Sequence, residues 1–216
     1  ISWKNGKLFA IKRQPPLNQP FLVSMPAVNQ TDEEQVIADP NRIDTTHSTS
    51  IDWYVPSPDG SLVAVSLSRG GSEDGDVHVF KTETGEKTDV VIPRVNGGTA
   101  GGDLVWLSDG SGFYYTRYPY PGERPEEDMN FYQQVWFHKL GTPLEKDNYE
   151  IGEDFPRIGE IRLQLDPATN RVLLTLQDGD SGRFKYYLGG PGRVWKQIAD
   201  YDDQISEAVL GEKGRI

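Results

Sequence analysis

The sequence predicts an all-β fold built from repeated antiparallel units, and three observations carry that expectation. Short apolar runs, alternating or continuous, recur along the chain and are bounded by Gly, Pro, Asn or Asp. Helical periodicity is weak throughout, and 15 prolines and 23 glycines among 216 residues favour strands and turns over α/β layering. A phrase in which an apolar run meets a tight polar turn and then a second apolar run appears five times, with turns at Asn5-Gly6, Asp59-Gly60, Asp109-Gly110, Thr169-Asn170 and Lys213-Gly214. The intervals of 54, 50, 60 and 44 residues lie near the ~40–50-residue period of four-stranded propeller blades.

Each turn reads as a two-residue hairpin connection, because Asn, Asp and Gly tolerate the positive φ that follows the twist of the flanking strands. The first unit supplies strands at Lys7–Lys12, Phe21–Met25 and Gln35–Ala38, with an opening stub at Ile1–Trp3. In the second, Ile51–Val55, Leu62–Leu67, Asp76–Lys81 and Thr88–Ile92 make four strands. The third repeats them at Asp103–Leu107, Phe113–Tyr118, Gln133–Leu140 and Asn148–Ile151; the fourth at Ile161–Leu165, Arg171–Gln177, Phe184–Leu188 and Val194–Ile198. A further unit begins at Ile205–Leu210 and stops after its turn, at Arg215-Ile216. The chain therefore reads as one partial β-propeller over residues 1–216, with blades near 1–44, 45–95, 96–155 and 156–200 and the start of another at 201–216. Because a ring needs about 4–8 whole blades, ends that fall inside blades mark it as a piece of a longer protein.

Composition narrows the function classes. A net charge of −11 with no concentrated basic patch disfavours nucleic acid and anionic membrane surfaces as partners. The absence of cysteine excludes disulfides, thiolate catalysis and cysteine-ligated zinc, and leaves the compartment open. No apolar run approaches the ~20 residues of a membrane span. The stretch from Ile1 to Gly6 lacks a signal-peptide pattern, so a soluble protein is expected, its signal, if it has one, lying upstream.

With the units aligned, a family resemblance emerges. Ala38-Asp39-Pro40-Asn41, Asp52 to Gly60, the bend Gly70-Gly71-Ser72-Glu73 before an alternating strand, Phe113 to Pro119, and Asn130 to Thr142 resemble, in order, the propeller of the prolyl oligopeptidase family of serine peptidases. The resemblance implies the N-terminal half of a seven-bladed propeller. It implies as partners a separate α/β-hydrolase domain that holds the serine, aspartate and histidine, and proline-containing oligopeptides that the propeller admits while excluding folded proteins. A cytoplasmic or periplasmic location fits such an enzyme. One departure stands out: where the family has an aromatic-containing stretch reaching toward bound peptide, this chain has Asn96-Gly97-Gly98-Thr99-Ala100-Gly101-Gly102.

No catalytic, cofactor-binding or metal-binding residue is assigned. A nucleophile elbow needs Gly-x-Ser-x-Gly between strand and helix, and neither Gly70-Gly71-Ser72-Glu73-Asp74 nor Gly110-Ser111-Gly112 fits. His47, His78 and His138 are the only histidines, and the last two read as edge or polar-face residues of alternating strands, with no nucleophile at hand. Glu73-Asp74-Asp76 and Asp178-Asp180 lack the spacing of a calcium loop and read as solvated turns. The insertion Pro119–Asn130, with Glu123, Glu126, Glu127 and Asp128, reads as a solvated, mobile surface loop, or functionally as a rim that meets the hydrolase domain or repels anionic peptides. Four glycines within Gly97–Gly102 permit close backbone approach by another chain or a ligand, and with no helix or lysine following they suit a channel-facing linker better than a phosphate cradle. Trp3, Trp53, Trp106, Trp136 and Trp195 read as packing between blades rather than as a stacking platform for bases.

Two other function classes stand against this reading. A stand-alone propeller that binds proteins would show whole blades and ring closure. A sialidase-type propeller would show Ser-x-Asp-x-Gly-x-x-Trp, whereas Ser57-Pro58-Asp59-Gly60 and Ser108-Asp109-Gly110 place glycine directly after aspartate. If the chain persists alone, open strand edges and an apolar flank favour self-association.

Overall fold

The computed structural model describes residues 1–211 and 215–216, so the expected turn at Lys213-Gly214 lies outside the described residues. Among the described residues sixteen strands form four sheets, each a four-stranded antiparallel meander in chain order. They are β1 (Ser2–Lys4), β2 (Lys7–Lys12), β3 (Phe21–Met25) and β4 (Gln35–Ala38); then β5 (Thr49–Pro56), β6 (Leu62–Arg69), β7 (Gly75–Lys81) and β8 (Lys87–Asn96). The third sheet holds β9 (Leu104–Trp106), β10 (Gly112–Arg117), β11 (Gln134–Lys139) and β12 (Asn148–Ile151); the fourth holds β13 (Gly159–Asp166), β14 (Arg171–Asp178), β15 (Phe184–Gly189) and β16 (Lys196–Ala199). This is the all-β architecture of a partial β-propeller. No helix among the described residues is long and apolar enough to cross a membrane.

The sheets group in pairs, as two compact units covering Ile1–Pro93 and Arg94–Ile216. In the first unit Phe9, Leu22 and Ile37 of one sheet interlock with Val63, Val65, Leu67 and Phe80 of the next. In the second, Leu107, Tyr114 and Val135 meet Ile161, Leu163, Val172, Leu174 and Leu176, with Phe155 of the connecting segment between them. Alternation explains both cores. Period-2 side chains send Leu174 to one face of β14 while Leu173 serves a second cluster with Tyr186 and Ala199 on the other. These strands are therefore apolar on both faces, which is why Leu173-Leu174 reads as a continuous run rather than an alternation.

The turns differ in kind. Asn5-Gly6 is the expected two-residue hairpin, with φ of 44° and 75° and Lys4 paired to Lys7. Those at Asp59 and Asp109 are longer loops closed by Ser57 N–H to Leu62 O and by Leu107 N–H to Gly112 O, at 2.8 and 2.9 Å. In each, the aspartate carboxylate accepts from the backbone N–H two residues on, an Asx turn that replaces the two-residue form. Neighbouring turns are tied together inside each unit: Asn5 Nδ2 donates to Asp59 O, and Asn170 Oδ1 accepts from Ser108 N–H.

One segment carries no expectation of its local form, and two further expectations are corrected. Asp39-Pro40-Asn41 starts a short helix, α1 (Pro40–Ile43), because Asp39 caps it by accepting from Asn41 N–H and proline occupies the first turn. The expected strand at Val194–Ile198 is shifted to β16, leaving Val194 92% exposed. Residues 205–210 form no strand. They lie along the fourth sheet through Leu210 N–H to Gln164 Oε1 and Tyr186 OH to Ile205 O, with Ala208 and Leu210 on its apolar face and no ladder to pair with.

Leu174 is fully buried where the third and fourth sheets meet. Leu174→Ala is expected to lower the stability of this unit by about 2–5 kcal/mol in urea denaturation, and a loss below about 1 kcal/mol would contradict the interlocked core.

Candidate functional site

The first strand of each blade is the one that borders the central channel in a propeller. In the second unit these inner strands are β9 and β13, and the segment entering β9 is the glycine-rich Gly97–Gly102. Its backbone closes on itself through Gly101 N–H to Gly97 O at 2.8 Å and Gly97 N–H to Gly101 O at 3.2 Å. The turn wraps the phenol of Tyr118, which follows β10. That hydroxyl accepts from Ala100 N–H at 2.8 Å and donates to Gly101 O at 3.2 Å, and Gln133 Nε2 adds a bond to Gly101 O at 3.0 Å.

This explains the glycines. A Cβ on Gly97 would lie 2.7 Å from the Tyr118 ring, and one on Gly102 would overlap the carbonyl oxygen of Val95. The close backbone approach that the sequence promises is thus used by the chain's own tyrosine. Gly101 is different, since a Cβ there would meet only Arg162 Nη1 at 3.7 Å and Asn96 Oδ1 at 4.0 Å.

Asp103 fixes the rim from below. Its carboxylate accepts from Leu104 N–H at 2.8 Å and from Leu163 N–H at 2.7 Å, clamping β9 to β13. Burial raises its pKa, opposed by those two hydrogen bonds and by the charge of Arg162. Arg162 itself is exposed and carries no hydrogen bond or ion pair among the described residues. Sequence reasoning missed it, although Glu160, Arg162 and Gln164 alternate with Ile161, Leu163 and Leu165 and so lie on the face of β13 opposite the core shared with the third sheet.

The insertion beside this rim is ordered rather than freely solvated. Arg94 reaches into it with bonds to Pro119 O, Met129 O and Asn130 Oδ1. Arg117, 3% exposed, lies between the rings of Tyr120 and Trp136 at 3.9 and 4.1 Å and is bridged to Glu123. Arg157 holds Asp128 at 2.8 Å and stacks on Phe131. Of the four acidic residues, Glu123 and Asp128 are thereby committed, while Glu126 and Glu127 remain exposed.

The histidines lie elsewhere. His47 is exposed in a turn. His138, on the third strand of its sheet, is buried, which corrects its expected edge or polar-face setting, whereas His78, on the third strand of its own sheet, is half-buried beside Asp76 and Lys87. His138 Nδ1 is 2.7 Å from Asp147, whose other oxygen accepts from Tyr115, and its ring packs on Phe113. Burial lowers the His78 pKa to about 4, helped by the charge of Lys87. Neither serine motif faces a histidine; Ser111 N–H caps Asp109, and Ser72 Oγ accepts from Asp74 N–H. No group of three or more acidic or histidine side chains suited to a metal occurs among the described residues. The tryptophans divide: Trp106 packs edge-on against Phe113 and Trp195 joins the core while donating to Glu150, but Trp3 is 58% exposed.

Two outcomes are expected of this geometry. Tyr118→Phe leaves Ala100 N–H without its acceptor and should cost about 1–3 kcal/mol in urea denaturation, with Gly98–Gly102 amides exchanging faster; unchanged exchange would contradict the wrapped turn. Because the folded His78 binds its proton less readily than the unfolded one, its contribution to stability is present above pH 6.5 and is lost as pH falls from 6.5 toward about 4. Thermal denaturation across that interval should show a shallower loss in His78→Gln, and identical slopes would contradict the assignment.

Comparison with known proteins agrees with this architecture. The model of the prolyl oligopeptidase N-terminal β-propeller domain matches residues 2–198. A prolyl endopeptidase of Elizabethkingia meningoseptica is 34% identical over 125 residues, covering 57% of this chain and 17% of its own length. Prolyl oligopeptidase A of Galerina marginata is 22% identical over 199 residues, covering 82% of this chain and 27% of that protein. Among solved structures, one from a study of two prolyl endopeptidases superposes with a TM-score of 0.79 at 21% identity, over 92% of this chain and 29% of that one. Prolyl oligopeptidase B of Galerina marginata, bound to a 35mer hydrolysis and macrocyclisation substrate, gives 0.75 at 17% identity, over 90% and 30%. The chain thus spans between about a sixth and a third of the relatives it matches, and with the family model covering most of its length it belongs to the prolyl oligopeptidase N-terminal β-propeller family.

Proposed function

We propose that this chain is the non-catalytic propeller segment of a prolyl oligopeptidase-type serine peptidase, its four sheets being successive blades of one propeller. In this reading the inner rim formed by Gly97–Asp103 and β13 meets proline-containing oligopeptides on their way to an α/β-hydrolase domain. The propeller excludes folded proteins by size. The family match over residues 2–198 is the observation that carries it.

Physical features support the assignment of hydrolysis to a separate domain. The buried His138 is committed to Asp147 through Nδ1, and a base so placed must still meet a nucleophile in space to act. The rim, in contrast, offers what a passing extended peptide needs. It has a hydrogen-bonded backbone turn and, beside Gly101, the exposed guanidinium of Arg162. A short inner strand such as β9, only three residues long, keeps that edge accessible without offering a long ladder for aggregation.

Incubation of the purified chain with a chromogenic proline-containing peptide should release no chromophore, while the peptide should slow hydrogen exchange at Gly98–Asp103. Cleavage by the chain would overturn the non-catalytic reading, and unchanged exchange would overturn the rim contact.

A further inference from the structure

Arg162 combines three properties that no other arginine of the second unit combines on the inner rim. It extends from the innermost strand, it is exposed, and among the described residues it has neither hydrogen bond nor ion pair. Its neighbours explain why its charge is unspent. Asp103, the nearest carboxylate with which it interacts, directs both oxygens to the backbone N–H groups of Leu104 and Leu163. Gly101 has no Cβ, and Arg162 Nη1 and Asn96 Oδ1 lie 3.7 and 4.0 Å from where one would stand, so the guanidinium rests directly beside the glycine turn.

Arg13, Arg69 and Arg193 are likewise exposed without an ion pair among the described residues, but none of them extends from an inner strand of the second unit. Arg94, Arg117 and Arg157 each spend their guanidinium on the chain's own carbonyls or carboxylates. A planar fork of donors matches a carboxylate in a two-bond arrangement that a lysine cannot reproduce. The Tyr118-wrapped turn behind it is held by five hydrogen bonds, so the backbone beside the guanidinium is preformed.

We propose that Arg162 is the carboxylate-recognising residue of the inner rim, and that its ligand is a short peptide bearing a free carboxylate, at its C-terminus or on an acidic side chain. The proposal rests on the rim's contact with oligopeptides and adds to it a charge preference. Recognition at such a site is electrostatic and weakens with salt.

The test is a nuclear magnetic resonance titration of the intact chain, following the Arg162 Nε–H resonance and the backbone amides of Gly98–Asp103. Three probes are used: alanyl-alanyl-prolyl-alanine as the free acid, its C-terminal amide, and alanyl-glutamyl-prolyl-alanine amide. The free acid or the glutamyl amide should move the Arg162 resonance and bind about fivefold tighter than the neutral amide. Arg162→Gln should abolish that preference, and Arg162→Lys should retain part of it. Whichever of the two probes moves Arg162 identifies the source of the carboxylate. Equal binding of all three peptides, with rim amides shifting but Arg162 still, would overturn the subsite while leaving peptide contact standing. No shift from any peptide would overturn both. Arg162 is exposed, so its variants are expected to keep the native amide spectrum, and the native chain's own resonance gives the answer independently of them.

Discussion

Every sheet in this molecule that has a packed neighbour is apolar on the face it turns there, and β14 and β15 are apolar on both. That constraint governs the rest. A four-stranded sheet with Leu173 and Leu174 both inaccessible cannot stand alone in water, so the sheets must stack face to face. Stacking consumes the faces and leaves only edges and connections for chemistry. In the second unit the inner edge then collects Asp103, Arg162 and the glycine turn, while the outer connections hold the arginine-anchored insertion.

Polar groups inside this arrangement serve the stacking. Asp103 links two sheets by accepting one backbone N–H from each, and Trp195 crosses to Glu150 in the same spirit. Arg117 is desolvated, its charge held by Glu123 and its faces by two aromatic rings, with only Nε lacking a hydrogen bond. His138, Asp147 and Tyr115 form a similar set on the aromatic face of β10 and β11, in which His138 Nε2 is left without a hydrogen bond. Arg162 differs from these buried groups in being exposed, on an inner strand, without an ion pair among the described residues.

The strands were legible because period-2 patterning and turn residues act locally. Lys7–Lys12, Phe21–Met25, Gln35–Ala38 and Asn148–Ile151 coincide with their expected limits for that reason. Legibility failed where tertiary partners decide. Residues 205–210 alternate like a strand but have no ladder among the described residues, and Asp39 caps a helix turn that the following proline and asparagine make equally compatible with a loop. The site was legible only in part. Four glycines in six residues announced a close approach, yet the group approaching is Tyr118, some twenty residues away in sequence and invisible as a partner until the sheet forms. Arg162 looked like an ordinary outward residue of an alternating strand, and only the commitment of Asp103 elsewhere reveals that it is unpaired.

The proposed contact between the inner rim and peptide carries the functional reading. Photo-crosslinking of the intact chain with a proline-containing oligopeptide bearing a photoreactive side chain, followed by mapping of the adducts, addresses this directly. Adducts concentrated in Asn96–Trp106 and Gly159–Asp166 are the expected result. Adducts concentrated instead on the outer strands β11, β12, β15 and β16 would contradict it.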